Sequence, residues 1–166
     1  KTTGDYSYTF DQYTEHGSLI SIHTPGNKTY TVETSLLGEF NYLNVTAAFA
    51  LASQMKINTE TIIQAIHTFT GVKRRQQLIH NSGQVKIYED FAHHPTAINY
   101  MLRTMRDRYP HAKIWALYEP RSATSRRNIF QNELPEAFRH CALVHIKTPY
   151  DLGRIPQDEQ INVEAI

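Results

Sequence analysis

The fold of this chain is decided around the stretch EDFAHHPTAI at residues 89–98. It follows the run QVKIY at residues 84–88, in which apolar Val85 and Ile87 alternate with polar residues, as they do in a strand. A segment with helical periodicity comes next, and Pro95 suits its first turn because a proline there removes only an N–H group that has no helical partner. The stretch therefore predicts a strand–loop–helix junction, the place where open α/β sheets bind ligands. A solvated loop that caps the helix is the alternative.

Strands and helices are predicted to alternate after this junction. The hydrophobic pattern predicts a helix from Pro95 to about Arg108, a buried strand at residues 113–118, a helix at about 130–139 and a strand at 142–146. The segments at 77–80 and 84–88 are predicted to form a hairpin around an Asn-Ser-Gly turn. A polar loop follows each strand, so the pattern predicts an α/β class with a small, mostly parallel sheet.

The first part of the chain has a different character. Residues 6–35 predict three strands, with a turn at 24–28 between the last two. A helix is predicted from Asn41, with an apolar stripe formed by Leu43, Ala47, Ala50, Leu51 and Met55. A second helix should begin after Asn58, a good N-cap residue, and end before Gly71. Gly71 is the natural hinge between two domains, which we predict at residues 1–70 and 71–166.

Two groups of polar residues, one before and one just after the predicted hinge at Gly71, could bind a nucleotide. Asn41 and Asn44 are three apart and share a helix face, and a side-chain amide offers a donor and an acceptor together, as a purine edge does. Helix capping by Asn41 is the alternative. The run VKRR at residues 72–75 puts three cations directly after a predicted helix end. They could bind phosphate or interact with the helix dipole.

Composition limits the classes of protein. The 166 residues hold 17 Lys and Arg against 16 Asp and Glu, a net charge of +1 that argues against a dedicated nucleic-acid binder. A single cysteine, Cys141, excludes a disulfide framework and favours a reducing compartment. No apolar run is long enough for a bilayer, so we expect no membrane partner and a cytoplasmic location. The first residue is not Met and the last seven resemble the start of a helix, so we expect a piece of a longer protein.

Four motifs in one order resemble the Mur ligases of bacterial peptidoglycan metabolism. They are GEFNYLN at residues 38–44, GVKRR at 71–75, EDFAHHPTAI at 89–98 and EPRS at 119–122. The resemblance implies that residues 1–70 are the C-terminal part of the central ATPase domain, with β-strands and two helices. It implies that residues 71–166 are a Rossmann-like C-terminal domain, truncated at its end. The phosphate-binding motif G-x-x-x-x-G-K-[ST] is absent from the sequence, so the fragment alone is expected to be inactive.

The resemblance also implies a reaction. Mur ligases use ATP, with Mg²⁺ whose ligands we expect mostly outside this chain, to convert a muramate carboxylate into an acyl phosphate that an amine then attacks. Within the family, the EPRS motif favours joining UDP-N-acetylmuramate to the tripeptide L-Ala-γ-D-Glu-meso-diaminopimelate during peptidoglycan recycling. Addition of L-alanine is the alternative, and a nucleotide-binding module without ligase activity is a third. A dehydrogenase is disfavoured because no G-x-G-x-x-G occurs.

Roles in nucleotide binding carry over from the family one residue at a time. Asn41 and Asn44 correspond to residues against the adenine, and Asp90 to the carboxylate that holds the ribose hydroxyls. Phe91 would flank the nucleotide. Arg75 corresponds to an arginine that reaches the ATP phosphates, and is therefore both a cofactor-binding and a catalytic candidate.

The remaining roles concern the substrates. His93 is a catalytic candidate, and His94, Arg121 and Ser122 are expected to contact the incoming peptide; no residue is assigned to a metal. The sequence departs from the family pattern at three positions, where the family usually has Glu, Asp and Met. They are Gln77, Glu89 and Ser125.

Overall fold

The computed structural model describes residues 5–166, which fall into two compact units. The first unit ends at Glu89, and the second runs from Asp90 to Ile166. The fold is mixed α/β and includes parallel strands, which confirms the predicted class. Across the described residues, no helix combines the length and the apolar character needed to cross a membrane.

A three-stranded antiparallel sheet opens the first unit. Its strands are β1 (Ser7–Tyr13), β2 (Ser18–Thr24) and β3 (Lys28–Thr34), in that order, as the sequence predicted. Alternation along β2 and β3 places Ile20, Ile22 and Val32 on one face, where all three are fully buried. Gly17 precedes β2 where the backbone passes so close to Thr34 that a Cβ atom would lie 2.0 Å from the Thr34 carbonyl oxygen. Only glycine fits there.

Two helices cover this sheet, α1 (Glu39–Gln54) and α2 (Thr59–Thr68). The residues of α1 that are buried are Tyr42, Val45, Thr46 and Phe49. The predicted stripe is therefore wrong, and Leu51 and Met55 are 65% and 68% exposed. The larger aromatic and β-branched side chains, spaced three and four residues apart, fill the space over the sheet. Alanines occur on several faces of this helix, so their positions did not indicate which face is buried.

The start of α2 has the predicted cap, and this makes a first test possible. The Asn58 side-chain oxygen accepts a hydrogen bond from the Glu60 N–H at 2.8 Å. Asn58→Ala is expected to lower the free energy of unfolding by about 1 kcal/mol, because that N–H loses its acceptor. Urea unfolding followed by circular dichroism measures the change. Asn58→Asp keeps the acceptor and serves as the control; an equal loss in that variant would contradict the capping role.

A hairpin completes the first unit. It consists of β4 (Gln77–Asn81) and β5 (Lys86–Glu89), with Gly83 in the turn at φ +84°. The register shifts between Leu78 and His80, which marks a β-bulge. Within residues 5–166, β5 pairs only with β4. The strand before the 89–98 stretch and the antiparallel hairpin that contains it therefore form as predicted.

The second unit contains the parallel strands. Helix α3 (Pro95–Arg108) is followed by β6 (Trp115–Tyr118), α4 (Leu134–Ala137) and β7 (Leu143–Ile146), with 3₁₀ turns at Asn128–Phe130, Gln157–Glu159 and Val163–Ala165. Strands β6 and β7 pair in parallel. The core of this unit comprises Ile98, Leu102, Tyr118, Leu134, Ala137, Phe138 and Ile161.

Three predictions for this unit need correction. The strand β6 is not buried on both faces, because Trp115 and Leu117 are 67% and 82% exposed while Ala116 and Tyr118 pack inward. The helix predicted at 130–139 is only four residues long. Pro135 is one reason, since proline is tolerated only in a first helical turn. The C-terminal residues form a 3₁₀ turn at Val163–Ala165 and no α-helix.

Candidate functional site

Asn41 is held within the first unit by two hydrogen bonds. Its amide nitrogen donates to the Leu37 carbonyl at 2.8 Å and to the Gln76 side-chain oxygen at 3.1 Å. Gly38 occupies the N-cap position of α1, so the interpretation of Asn41 as the cap is wrong. Since the amide has two N–H donors, a purine contact from this side chain would use its oxygen. Asn44 lies on the same helix and is exposed.

The cations after α2 differ in their surroundings. Arg74 has its Nε atom 3.4 Å from a Glu89 carboxylate oxygen, and its backbone N–H donates to the Gln77 side chain at 2.9 Å. The Arg75 side chain is exposed, while its backbone N–H donates to the Val72 carbonyl at 3.1 Å. Helix α2 ends at Thr68, and the dipole effect falls off within the last turn of a helix. The dipole interpretation therefore explains little of this basic run.

Asp90 begins the second unit and closes a tight turn. One of its carboxylate oxygens accepts a hydrogen bond from the Ala92 N–H at 2.7 Å. A carboxylate has acceptor positions on both oxygens, so its chemistry suits contact with two vicinal hydroxyls in addition to this bond. Phe91 is 58% exposed, and its ring meets the His93 ring edge to face at 5.3 Å. His93 itself is exposed, with Nδ1 3.0 Å from the Phe91 carbonyl oxygen.

His94 is the N-cap residue of α3. Its Nδ1 atom accepts a hydrogen bond from the Thr96 N–H at 3.3 Å, and its ring packs edge to face on Phe130 at 4.5 Å. Because Nδ1 accepts this hydrogen bond, it carries no hydrogen of its own in this arrangement. The helix-capping role predicted as the alternative for this loop is therefore present at His94, and its contact with substrate stays a prediction.

The loop after β6 forms a second tight turn, closed by serine hydroxyls. The Ser122 hydroxyl accepts from the Ser125 N–H at 3.0 Å and donates to the Ser125 hydroxyl at 2.8 Å. The Ser125 hydroxyl in turn donates to the Ser122 carbonyl at 3.2 Å. Arg121 immediately precedes this turn, and its side chain is exposed. The turn therefore presents a cation at the carboxyl end of β6.

Three contacts bring the loops after successive strands together. The Tyr118 hydroxyl donates to the His93 carbonyl at 3.4 Å, which joins the end of β6 to the loop of residues 90–94. The Lys147 N–H donates to the Tyr118 carbonyl at 2.9 Å, and the Lys147 ammonium lies 3.0 Å from a Glu119 carboxylate oxygen. Asp90, His93 and Arg121 thus lie on loops at one end of the second unit.

A third loop, residues 147–151, is fixed by an arginine. Arg126 donates through Nη1 to the Tyr150 carbonyl at 3.3 Å and the Asp151 carbonyl at 2.8 Å. Asp151 has a left-handed backbone, with φ +55°, and Tyr150 is 81% exposed. As for metals, the described part of the chain contains no cluster of three or more His, Cys, Asp or Glu side chains placed to hold an ion.

Comparison with known proteins agrees with this architecture. Residues 74–151 match the family model described as the Mur ligase, glutamate ligase domain. This segment is a Mur ligase C-terminal domain. The chain is 26% identical over 160 residues to the UDP-N-acetylmuramate–L-alanine ligase of Acaryochloris marina, covering 92% of the chain and 33% of that protein. The chain therefore spans about a third of this relative's length.

Two solved structures resemble the chain in fold. The UDP-N-acetylmuramate–alanine ligase of Thermotoga maritima superposes with a TM-score of 0.71 at 21% identity, covering 89% of this chain and 33% of the other. The murein peptide ligase of Psychrobacter arcticus gives a TM-score of 0.54 at 29% identity, covering 87% of this chain and 30% of the other. Both comparisons extend over both units.

Some residues of this Mur ligase domain were not identified from sequence as part of the site. Tyr118 ends a predicted buried strand, so it gave only a signal for core packing. Arg126 stands in a segment rich in arginine, and such a segment is more often a solvated helix face than a binding site. A polar or aromatic residue at the last position of a predicted parallel strand is the signal that could have identified Tyr118.

Proposed function

We propose that this chain is part of a murein peptide ligase, which joins UDP-N-acetylmuramate to L-Ala-γ-D-Glu-meso-diaminopimelate at the expense of ATP. The observation that carries the proposal is the exposed guanidinium of Arg121, presented after β6 by the serine-closed turn next to the loop of residues 90–94. Arginine binds a carboxylate through two parallel hydrogen bonds. A tripeptide offers several carboxylates at a distance from its reacting amine, whereas L-alanine offers one beside it.

The nucleotide roles belong to the same proposal. Asp90 would accept hydrogen bonds from the ribose, and the Phe91 ring would pack against the nucleotide. The side chains of Asn41 and Asn44 would lie against the adenine, and Asn41 would contact it through its side-chain oxygen. Arg75 would neutralise charge on the phosphates, which is the main demand that phosphoryl transfer makes on a protein.

The substrate roles complete it. His93 would line the reaction site. The polar side-chain atoms of His94 and Ser122 would contact the peptide. No residue of this chain is assigned to Mg²⁺. Since the reaction consumes ATP and a nucleotide sugar, we propose the cytoplasm as its compartment.

Ligation of L-alanine is the second candidate function. It is favoured by the names of two similar proteins, the curated relative from Acaryochloris marina and the structure from Thermotoga maritima. The two candidates share the ATP chemistry and differ in the amine substrate. A substrate comparison therefore separates them.

The decisive experiment is a ligation assay with the full-length protein that carries this chain. UDP-N-acetylmuramate and ATP are supplied with either L-alanine or the tripeptide, and ADP release is measured. We expect ADP release that depends on the tripeptide. Release with L-alanine alone would establish the second candidate, and release with neither would contradict a ligase. The chain of 166 residues by itself is expected to release no ADP, because its sequence has no P-loop.

The role of Arg121 gives a separate prediction. Arg121→Lys keeps the positive charge but loses the planar fork, so we expect the KM for the tripeptide to rise about tenfold with little change in the KM for ATP. Arg139→Lys is the matched control, because Arg139 is another exposed arginine of the second unit whose ion pair with Glu136 a lysine can also make. Steady-state kinetics measures both. An equal effect in the two variants would remove Arg121 from the peptide site.

A further inference from the structure

Tyr118 combines a buried ring with a hydroxyl that reaches another loop. It is the last residue of β6 and is 8% exposed, and its ring packs against Phe138 at 5.6 Å. Its hydroxyl donates to the His93 carbonyl at 3.4 Å. Burial raises the pKa of Tyr118, whereas its hydrogen bond with Ser125 acts in the opposite direction. The phenol is therefore protonated at neutral pH and able to donate.

Ser125 closes the turn that follows Arg121. It is only 3% exposed, and a hydroxyl buried to that extent is costly unless it is hydrogen-bonded. Its hydroxyl accepts from the Ser122 hydroxyl at 2.8 Å and donates to the Ser122 carbonyl at 3.2 Å. The Ser122 and Ser125 hydroxyls therefore close the turn after Arg121, while the Tyr118 hydroxyl anchors the end of β6 to the His93 carbonyl. We call these three hydroxyls together the hydroxyl network.

Arg121 lies inside the segment that this network encloses. Tyr118 stands three residues before it and Ser122 directly after it, so the backbone is anchored on both sides. Nothing in the network contacts the guanidinium itself. We propose that Tyr118 and Ser125 are positioning residues, which hold the backbone of Arg121 relative to the loop of residues 90–94 so that its guanidinium meets a carboxylate of the incoming peptide. This inference rests on the proposed function.

Such positioning should be measurable, because a contact between a guanidinium and a carboxylate depends on the orientation of both groups. A binding group must be held within about 0.5 Å and about 20° of its productive geometry, so two parallel hydrogen bonds between a guanidinium and a carboxylate are weakened by larger shifts. Removal of one anchor therefore weakens peptide binding without removing the arginine. Asp90 and Phe91, which the proposed function assigns to ATP, lie on the anchored loop, but Asp90 has its own hydrogen bond with the Ala92 N–H at 2.7 Å. The effect on ATP binding should therefore be much smaller than the effect on peptide binding.

The test uses Tyr118→Phe and Ser125→Ala in the full-length protein. Tyr118→Phe keeps the ring and its packing and removes only the hydroxyl. We expect the KM for the tripeptide to rise about fivefold to tenfold, as loss of one hydrogen bond allows, with the KM for ATP within twofold. Thr104→Val is the matched control, since Thr104 is also 3% exposed in the second unit and its hydroxyl bonds only within α3, to the Tyr100 carbonyl at 2.9 Å. It should leave both KM values unchanged.

A double-mutant cycle separates positioning from general destabilisation. If Tyr118 acts through Arg121, Tyr118→Phe should have no further effect on the KM for the tripeptide in an Arg121→Ala background. Additive effects, or an equal rise in the KM for ATP, would overturn the inference. So would an unchanged KM for the tripeptide in Tyr118→Phe. Absence of tripeptide-dependent turnover in the wild-type protein would overturn the proposed function first, and the inference with it.

Discussion

Arg75→Ala in the full-length protein is expected to lower kcat about 10²- to 10³-fold, the usual cost of removing one group that stabilises developing charge. The proposed role of Arg75 is to neutralise charge on the transferring phosphoryl group. Its side chain is exposed, and an alanine there disturbs no packed contact. The loss should therefore appear in turnover and leave the thermal stability of the protein unchanged.

Arg74→Ala is the control for that experiment. It removes the same charge one position earlier, from a side chain paired with Glu89 on the surface. Surface ion pairs contribute about 0–1 kcal/mol to stability, so this variant should keep both its fold and most of its turnover. ADP release under saturating substrates measures both variants. Equal losses would mean that the basic run acts through its total charge, and the specific role of Arg75 would be wrong.

The junction at residues 89–98 could be predicted from sequence because its signals are local. Alternation before it, Pro95 at the first helical turn and inward residues such as Ile98 and Leu102 are all determined within a few positions, and the structure has β5 and α3 where they were expected. The resemblance to Mur ligases was confirmed for residues 74–151. The predicted domain boundary at residue 70 and the individual site roles stay predictions.

The features that sequence did not reveal depend on contacts distant along the chain. Asn41 is oriented by Gln76, 35 residues away, and Tyr118 reaches His93, 25 residues away. Which partners a strand takes is also non-local. For that reason the apolar run of β6 resembled a strand buried on both faces, although Trp115 and Leu117 are exposed. Periodicity reports which residues share a face, but it does not say whether another element covers that face.

The choice of buried face on α1 shows the same limit within one helix. Its segment is rich in alanine and other apolar residues, so more than one stripe satisfies a helical period. The sequence favoured the stripe that contains Leu51, whereas the structure buries Phe49, which is 1% exposed against 65% for Leu51. Phe49 contacts the Tyr30 ring at 5.5 Å and belongs to the same cluster as Ile20 and Ile22. The two interpretations of α1 therefore predict opposite effects of mutation.

Phe49→Ala should lower the free energy of unfolding by about 3–5 kcal/mol, because it removes a large buried ring and leaves a cavity over the sheet. Leu51→Ala, two residues further along the same helix, should change it by no more than about 0.5 kcal/mol, since the side chain is mostly in water. Urea unfolding of the two variants followed by circular dichroism gives both values on the chain itself. A larger loss for Leu51→Ala than for Phe49→Ala would mean that α1 packs its Leu51 face, and not its Phe49 face, against the sheet. Because Asn41 lies in the first turn of the same helix, its proposed position against the adenine would then have to be reassigned with it.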